Sequence, residues 1–125
     1  MSGLRALDER RAAAVEALCE LIVPGSKGVG SVVYIDAVLA NMPAPVRDHA
    51  IEAIDALAPA SGSAEALAGQ ERTPEFAFIR ALACEAYYSD FVAPGKVGPS
   101  AWEEIDFAPP AAQRLRKDWS WLGVS

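Results

Sequence analysis

The sequence predicts an all-α fold, a small helical bundle with an extended, loop-rich C-terminal third. Up to Asp90, apolar residues recur at the three- and four-residue spacings of amphipathic helices. No segment alternates apolar and polar residues with the β-branched side chains that strands favour. After Asp90, the stretch FVAPGKVGPS contains two prolines and two glycines, which neither a helix nor an interior strand accommodates. The 125 residues therefore form one predicted domain, with a helical part at about 8–90 and a C-terminal arm at about 91–125.

The first predicted helix begins after Asp8, whose side chain can cap unpaired backbone N–H groups, and it stops at Pro24 and Gly25. Its inward-facing residues are Val15, Leu18, Cys19 and Ile22. Residues 24–31, PGSKGVGS, are predicted to be an ordinary interhelical loop. They do not match a phosphate-binding P-loop, because Lys27 comes before the last glycine and a helix precedes the loop where a strand is required.

Two further helices are predicted before residue 60. The second runs from about Ser31 to Asn41 and is ended by Pro43. The third has Pro45 in its first turn and is closed by Pro59. The predicted apolar residues are Val32, Ile35, Val38, Leu39 and Met42 in the second helix, and Val46, Ala50, Ala53, Ile54 and Leu57 in the third.

A fourth main helix, from Thr73 to Asp90, has the clearest start of all. Thr73 caps its first turn, and Pro74 suits the first helical position because its missing N–H would be unpaired there. Apolar groups cover more than half of its circumference, so this helix either lies at the centre of the core or has a second apolar face that waits for a partner. Ahead of it, residues 59–63 form a predicted flexible connection, and Ser63 caps a short helical segment, AEALAG.

Composition and charge exclude several classes of protein. The chain is 52% hydrophobic, but much of that fraction is alanine, so a thin core is predicted. A formal net charge of −6 argues against nucleic acid or an anionic membrane surface as the partner. No apolar run approaches the roughly 18 residues that a membrane span requires, so no membrane span is predicted.

The search for chemistry in the sequence finds no catalytic, cofactor-binding or metal site. His49 is the only histidine, and no G-x-S-x-G turn supplies a nucleophile. Cys19 and Cys84 lack C-x-x-C spacing, so free buried thiols are favoured over a disulfide or a metal site. The densest group of carboxylates is Glu103, Glu104 and Asp106, whose adjacent positions do not make an acid/base pair.

Three segments, in this order, resemble the small-subunit family named for gluconate 2-dehydrogenase subunit 3. They are LIVPGSKGVGS after the first helix, FIRALACEAYYSD at the end of the central helix, and SAWEEIDF beyond it. The positions that match the family's pattern are Pro24, Gly25, Tyr87, Tyr88, Ser89, Asp90, Trp102 and Phe107. The chain departs from the pattern after Asp90, where the family usually has a glycine pair followed by asparagine.

The resemblance implies a noncatalytic subunit that binds, stabilises and helps to mature a large FAD-dependent dehydrogenase of the glucose-methanol-choline type. Such an enzyme oxidises sugars, sugar acids or related alcohols. The large subunit would hold the FAD, and no cofactor is expected in this chain. Exported members of the family carry a twin-arginine signal, which the sequence before Leu4 does not show. The chain as written is therefore expected in the cytoplasm, or in the periplasm if such a signal has been removed.

Aromatic residues near and within the C-terminal arm are the predicted partner-binding residues. Aromatic side chains are enriched at the centres of protein interfaces, and a proline-broken arm cannot form a core of its own. The candidates are Tyr87, Tyr88, Trp102, Phe107, Trp119 and Trp121. The alternative function is a stand-alone helical interaction protein or homodimer without an enzyme partner.

Overall fold

The computed structural model describes residues 4–101 and 122–123, and this part of the chain is helical without any strand. The predicted all-α class is confirmed. Residues 91–100 contain no helix, as expected for the start of a loop-rich C-terminal third. The helices are α1 (Glu9–Ile22), α2 (Ser26–Val29), α3 (Ser31–Ala40), α4 (Ala44–Leu57), α5 (Ala64–Ala68) and α6 (Pro74–Tyr88), with a 3-10 helix at Ala58–Ala60 between α4 and α5.

Side-chain caps begin three of these helices where the sequence predicts them. Asp8 Oδ1 accepts the backbone N–H of Arg11 at 2.8 Å at the start of α1. Ser63 Oγ at α5 and Thr73 Oγ1 at α6 each accept the N–H of the third residue along, at 3.1 Å. Each cap satisfies a donor that the first helical turn leaves without an intrahelical partner.

The predicted interhelical loop at 24–31 is partly wrong, because it contains the single helical turn α2. Gly25 and Gly30 flank this turn with φ values of 102° and 72°, a left-handed conformation that glycine adopts without strain. The Glu20 carboxylate reaches across from α1 and accepts the N–H groups of Gly25 at 3.1 Å and Lys27 at 2.9 Å. A side chain from a neighbouring helix thus replaces the local cap that the loop sequence lacks.

The connection at 59–63 is also more regular than predicted. Pro59 lies within the 3-10 helix Ala58–Ala60, and the Ser61 hydroxyl donates to the carbonyl oxygen of Ala58 at 2.7 Å. One predicted apolar position in the preceding helix differs as well, since Val46 is 43% exposed. The buried stripe of α4 therefore begins one turn later, at Ala50.

Helix α6 lies at the centre of the bundle, where it packs against α1, α2, α3 and α4. Phe78 is half-buried, and its ring meets that of His49 on α4 edge to face, with centroids 5.9 Å apart. Of the two explanations for the broad apolar surface of α6, burial within the chain accounts for most of it. Tyr88 is the one large hydrophobic side chain that α6 leaves exposed.

A buried carboxylate on α3 fastens the N-terminal segment to the bundle. Asp36 is 4% exposed, and its two oxygens accept the backbone N–H groups of Arg5, Ala6 and Leu7 at 2.9–3.0 Å. This arrangement places Leu7 in the core. The Arg5 guanidinium in turn donates to the carbonyl oxygen of Leu122 at 2.6 Å, so both ends of the described chain meet here.

Replacing Asp36 with alanine is expected to destabilise the protein by about 2–4 kcal/mol, because three backbone donors would lose a charged acceptor. Asp36→Asn keeps one acceptor oxygen and should cost less. Urea denaturation measures both, with Glu52→Ala on the exposed face of α4 as the control. Equal unfolding free energies for Asp36→Ala and Glu52→Ala would contradict the proposed anchoring.

Candidate interaction surface

At the end of α6, the two predicted tyrosine anchors differ in their exposure to solvent. Tyr87 is 5% exposed and belongs to the core, whereas Tyr88 is 62% exposed. Their rings meet edge to face with centroids 5.3 Å apart and an interplanar angle of 88°. Of this pair, only Tyr88 offers its ring to a partner. The other predicted anchors, Trp102, Phe107, Trp119 and Trp121, lie outside the residues that the structure describes.

The Pro-Gly loop after α1 packs directly against the end of α6. A Cβ atom at Gly25 would lie 3.1 Å from the hydroxyl oxygen of Tyr87 and 3.2 Å from its Cε1 atom. Gly25 also has a φ of 102°, which disfavours any side chain. Two of the three segments on which the family resemblance rests are therefore adjacent in space, with Tyr88 exposed beside them.

Asp90 reverses the chain immediately after α6. Its φ of 66° is left-handed, which is uncommon for a residue other than glycine but is tolerated by aspartate at a helix end. The backbone N–H of Asp90 donates to the carbonyl oxygen of Tyr87 at 3.1 Å. The reversal directs Phe91 into the core, where its ring meets that of Tyr34 with centroids 5.3 Å apart.

The proline- and glycine-rich segment that follows lies on α2 of its own chain. The N–H of Ala93 donates to the carbonyl oxygen of Val29 at 2.8 Å, and that of Gly98 donates to the carbonyl oxygen of Gly28 at 3.1 Å. A Cβ atom at Gly98 would be only 2.6 Å from the backbone of Gly28, so this contact requires glycine. The first part of the predicted arm is thus bonded to the bundle.

We call the surface made by α2, the loop 94–98 and Tyr88 the α2 corner. Besides Tyr88, it exposes Val97, which is 96% exposed. It also carries Lys27 and Lys96, the two lysines of the described residues, both of them exposed. Sequence reasoning found Tyr88 but missed the other three, because pairing of the loop with α2 depends on Gly28 and Gly98, far apart in the chain.

Two further grooves lie elsewhere on the surface. One of about 480 Å³ lies between α1, α5 and α6, and Leu67 and Phe76 contribute to its apolar wall. The other, of about 620 Å³, is bordered by Arg11 and Asp55, whose guanidinium and carboxylate form two 2.9 Å hydrogen bonds. These hydrogen bonds raise the pKa of Arg11 and lower that of Asp55. Both groups are thus engaged with each other as a surface ion pair.

The buried titratable groups among the described residues have structural roles. Burial raises the pKa of the Cys19 thiol to about 12, so it stays protonated and weakly nucleophilic at neutral pH. The Tyr34 hydroxyl donates to Glu85 Oε2 at 3.2 Å, and burial together with that carboxylate raises the pKa of Tyr34 to about 12. Both cysteines are free, as predicted, although Cys84 is only half-buried. Within residues 4–101 and 122–123, no three His, Cys, Asp or Glu side chains converge in a metal-binding arrangement.

No family model matches this chain, and no curated protein or solved structure does either. Likewise, none of the described helices has the length and apolar character required to cross a membrane. A function for this chain therefore has to be inferred from the residues and contacts of the α2 corner.

Gly98→Ala is expected to detach the loop from α2, because the added Cβ atom would overlap the Gly28 backbone. The amides of Ala93 and residue 98 should then lose protection from hydrogen exchange, and the unfolding free energy should fall by about 1–3 kcal/mol. Gly62→Ala is the matched control, since a Cβ atom there meets nothing within 4 Å. If both variants keep the same protection at Ala93, the glycine contact does not hold the loop.

The raised pKa of Tyr34 predicts a loss of stability at alkaline pH. The phenol ordinarily titrates at 10.0 and does so at about 12 in the folded protein, so its contribution is present below pH 10 and lost as pH rises through about 12. Unfolding free energy measured by urea at about pH 9 and about pH 11 should fall less for Tyr34→Phe than for the wild type. A Cys19→Ala variant identifies the contribution of the thiol, whose raised pKa affects stability over an overlapping pH range. Identical decreases in Tyr34→Phe and wild type would contradict the assignment.

Proposed function

We propose that this chain is a noncatalytic small subunit that binds, stabilises and helps to mature a large FAD-dependent dehydrogenase of the glucose-methanol-choline type. One observation carries the proposal. The Pro-Gly loop and the aromatic end of α6, two separate elements of the family resemblance, pack together at Gly25 and Tyr87 and leave Tyr88 exposed beside them. In this proposal the large subunit holds the FAD and oxidises a sugar, a sugar acid or a related alcohol.

Tyr88 has the properties of an interface anchor. Its ring is large and 62% exposed, and the buried ring of Tyr87 supports it from one side. A tyrosine has few side-chain torsions to restrict, and a supported ring loses less conformational entropy on binding than a free one. Aromatic anchors of this kind typically dominate the binding energy of an interface.

Several polar side chains are engaged in holding the fold together, and this supports a binding role for the chain. Asp36 and Glu20 are engaged with backbone N–H groups, and Arg11 is paired with Asp55. These contacts fix the N-terminal segment, α2 and the packing of α1 against α4. These side chains thus help to maintain the shape that presents Tyr88.

The direct test is co-expression with a large flavoprotein dehydrogenase of the same genome, preferably one encoded beside this chain. We expect a stoichiometric complex with a flavin absorption spectrum, and a higher yield of active dehydrogenase than the large subunit gives alone. Tyr88→Ala should weaken the complex about 30-fold, equivalent to about 2 kcal/mol, whereas Tyr88→Phe keeps the ring and should bind nearly as well.

Val46→Ala is the control, since Val46 is an exposed hydrophobic residue on α4 and outside the α2 corner. Failure to form any complex with such a dehydrogenase would overturn the proposal. A stable homodimer that loses its contact in Tyr88→Ala would favour the alternative function, a stand-alone interaction protein.

A further inference from the structure

The first described residues of the chain are held on a fixed path by α3. Asp36 is 4% exposed, and its Oδ1 atom accepts the backbone N–H groups of Ala6 and Leu7 at 2.9 Å. Its Oδ2 atom accepts the N–H of Arg5 at 3.0 Å. Residues near the end of a chain are usually poorly ordered unless contacts of this kind restrain them. The backbone that carries the Arg5 side chain is therefore already in place.

Arg5 connects this segment to the other end of the described chain. Its Nη2 atom donates to the carbonyl oxygen of Leu122 at 2.6 Å. A Cβ atom at Gly123 would lie 3.2 Å from Nη1 and 3.4 Å from Nη2, so the guanidinium lies against this glycine. Gly123 also has a φ of 74°, which disfavours any side chain. The guanidinium thus contacts two consecutive residues, and the first of them, Leu122, is fully buried in the core.

The two sets of contacts differ in their exposure to water. Arg5 is exposed, whereas Asp36 and Leu122 are buried. An exposed guanidinium can exchange a carbonyl acceptor for water, so the bond from Arg5 to Leu122 is the easier one to break. Local opening at such a contact requires less free energy than global unfolding does.

The contact at Leu122 depends on the contacts at Asp36, but the reverse does not hold. If Asp36 were removed, the backbone at Arg5 would lose its acceptor, and ordering the guanidinium would cost additional conformational entropy. If the Arg5 side chain were removed, Asp36 would still accept the N–H groups of Ala6 and Leu7. The dependence therefore runs from α3 through the N-terminal segment to Leu122.

We infer that residues 5–7 and residues 122–123 form a conformational clasp. Asp36 orders the N-terminal segment, and Arg5 then holds Leu122 in the core. The clasp opens at Arg5, which releases Leu122 while the Asp36 contacts and the helices remain in place. The N-terminal segment thereby controls whether Leu122 lies on the bundle, and this inference does not depend on the proposed function.

The test measures how fast a carboxypeptidase removes Leu122 from the C-terminal side, followed by mass spectrometry under native conditions. A buried residue is cleaved only from the open state, so the rate reports the open population when opening is fast. Arg5→Ala should accelerate removal about tenfold, because the clasp loses a hydrogen bond from a charged donor. Arg5→Lys keeps one charged donor and should accelerate it less.

Hydrogen exchange at the amides of Ala6 and Leu7 tests the direction of the dependence. These amides should keep their wild-type protection in Arg5→Ala and lose it in Asp36→Ala, while both variants release Leu122. Loss of protection at Ala6 and Leu7 in Arg5→Ala would overturn the inferred order.

Two controls separate opening of the clasp from other effects. Arg72→Ala removes an exposed arginine before α6, and Leu67→Ala removes a buried side chain on α5 and lowers global stability. Neither should accelerate the removal of Leu122. The inference is overturned if Arg5→Ala is digested at the wild-type rate. It is also overturned if Leu67→Ala releases Leu122 as fast as Arg5→Ala does, because release would then follow global unfolding.

Discussion

Close approach between helix backbones is the constraint on which this structure depends. Ala50 and Ala53 on α4 and Ala83 and Ala86 on α6 are all buried, and α4 and α6 pack against one another. Alanine contributes little apolar area, so a core built from it is stable only if neighbouring backbones come near enough to leave no voids. Close packing of the helices thus fills the predicted thin core. In the same way, Gly28 and Gly98 let the loop 94–98 approach the backbone of α2 closely.

That constraint places the candidate interaction surface at the ends of helices. The sides of α6 are occupied by its neighbours, whereas its last turn has a buried and an exposed ring in consecutive positions. The left-handed Asp90 then returns the chain across α2, whose glycines let the loop lie flat on the helix. Hydrogen bonds to α2 on both sides of Val97 restrict this loop more than a free connection would be restricted.

Helix caps encoded by neighbouring residues were predictable from the sequence, and features that need distant partners were not. The caps at Asp8, Ser63 and Thr73 each depend on residues three positions apart, and all three are present. Helix α2 was missed because its cap comes from Glu20 in another helix. The pairing of residues 93–98 with α2 was missed for the same reason.

The candidate interaction surface likewise combines features that the sequence predicts with features that it does not. Tyr87 was predicted as a partner-binding anchor, yet helical spacing places it on the buried stripe of Ile79 and Ala83. Tyr88, one position later, points away from that stripe. No local pattern indicates that the loop 94–98 lies on α2, because only the folded chain brings Gly28 and Gly98 together. Within the described residues, Asp36 holds the N-terminal segment and Glu20 holds the start of α2. A partner that binds at Tyr88 would therefore add stability by mass action to a surface that contacts within the chain already hold in place.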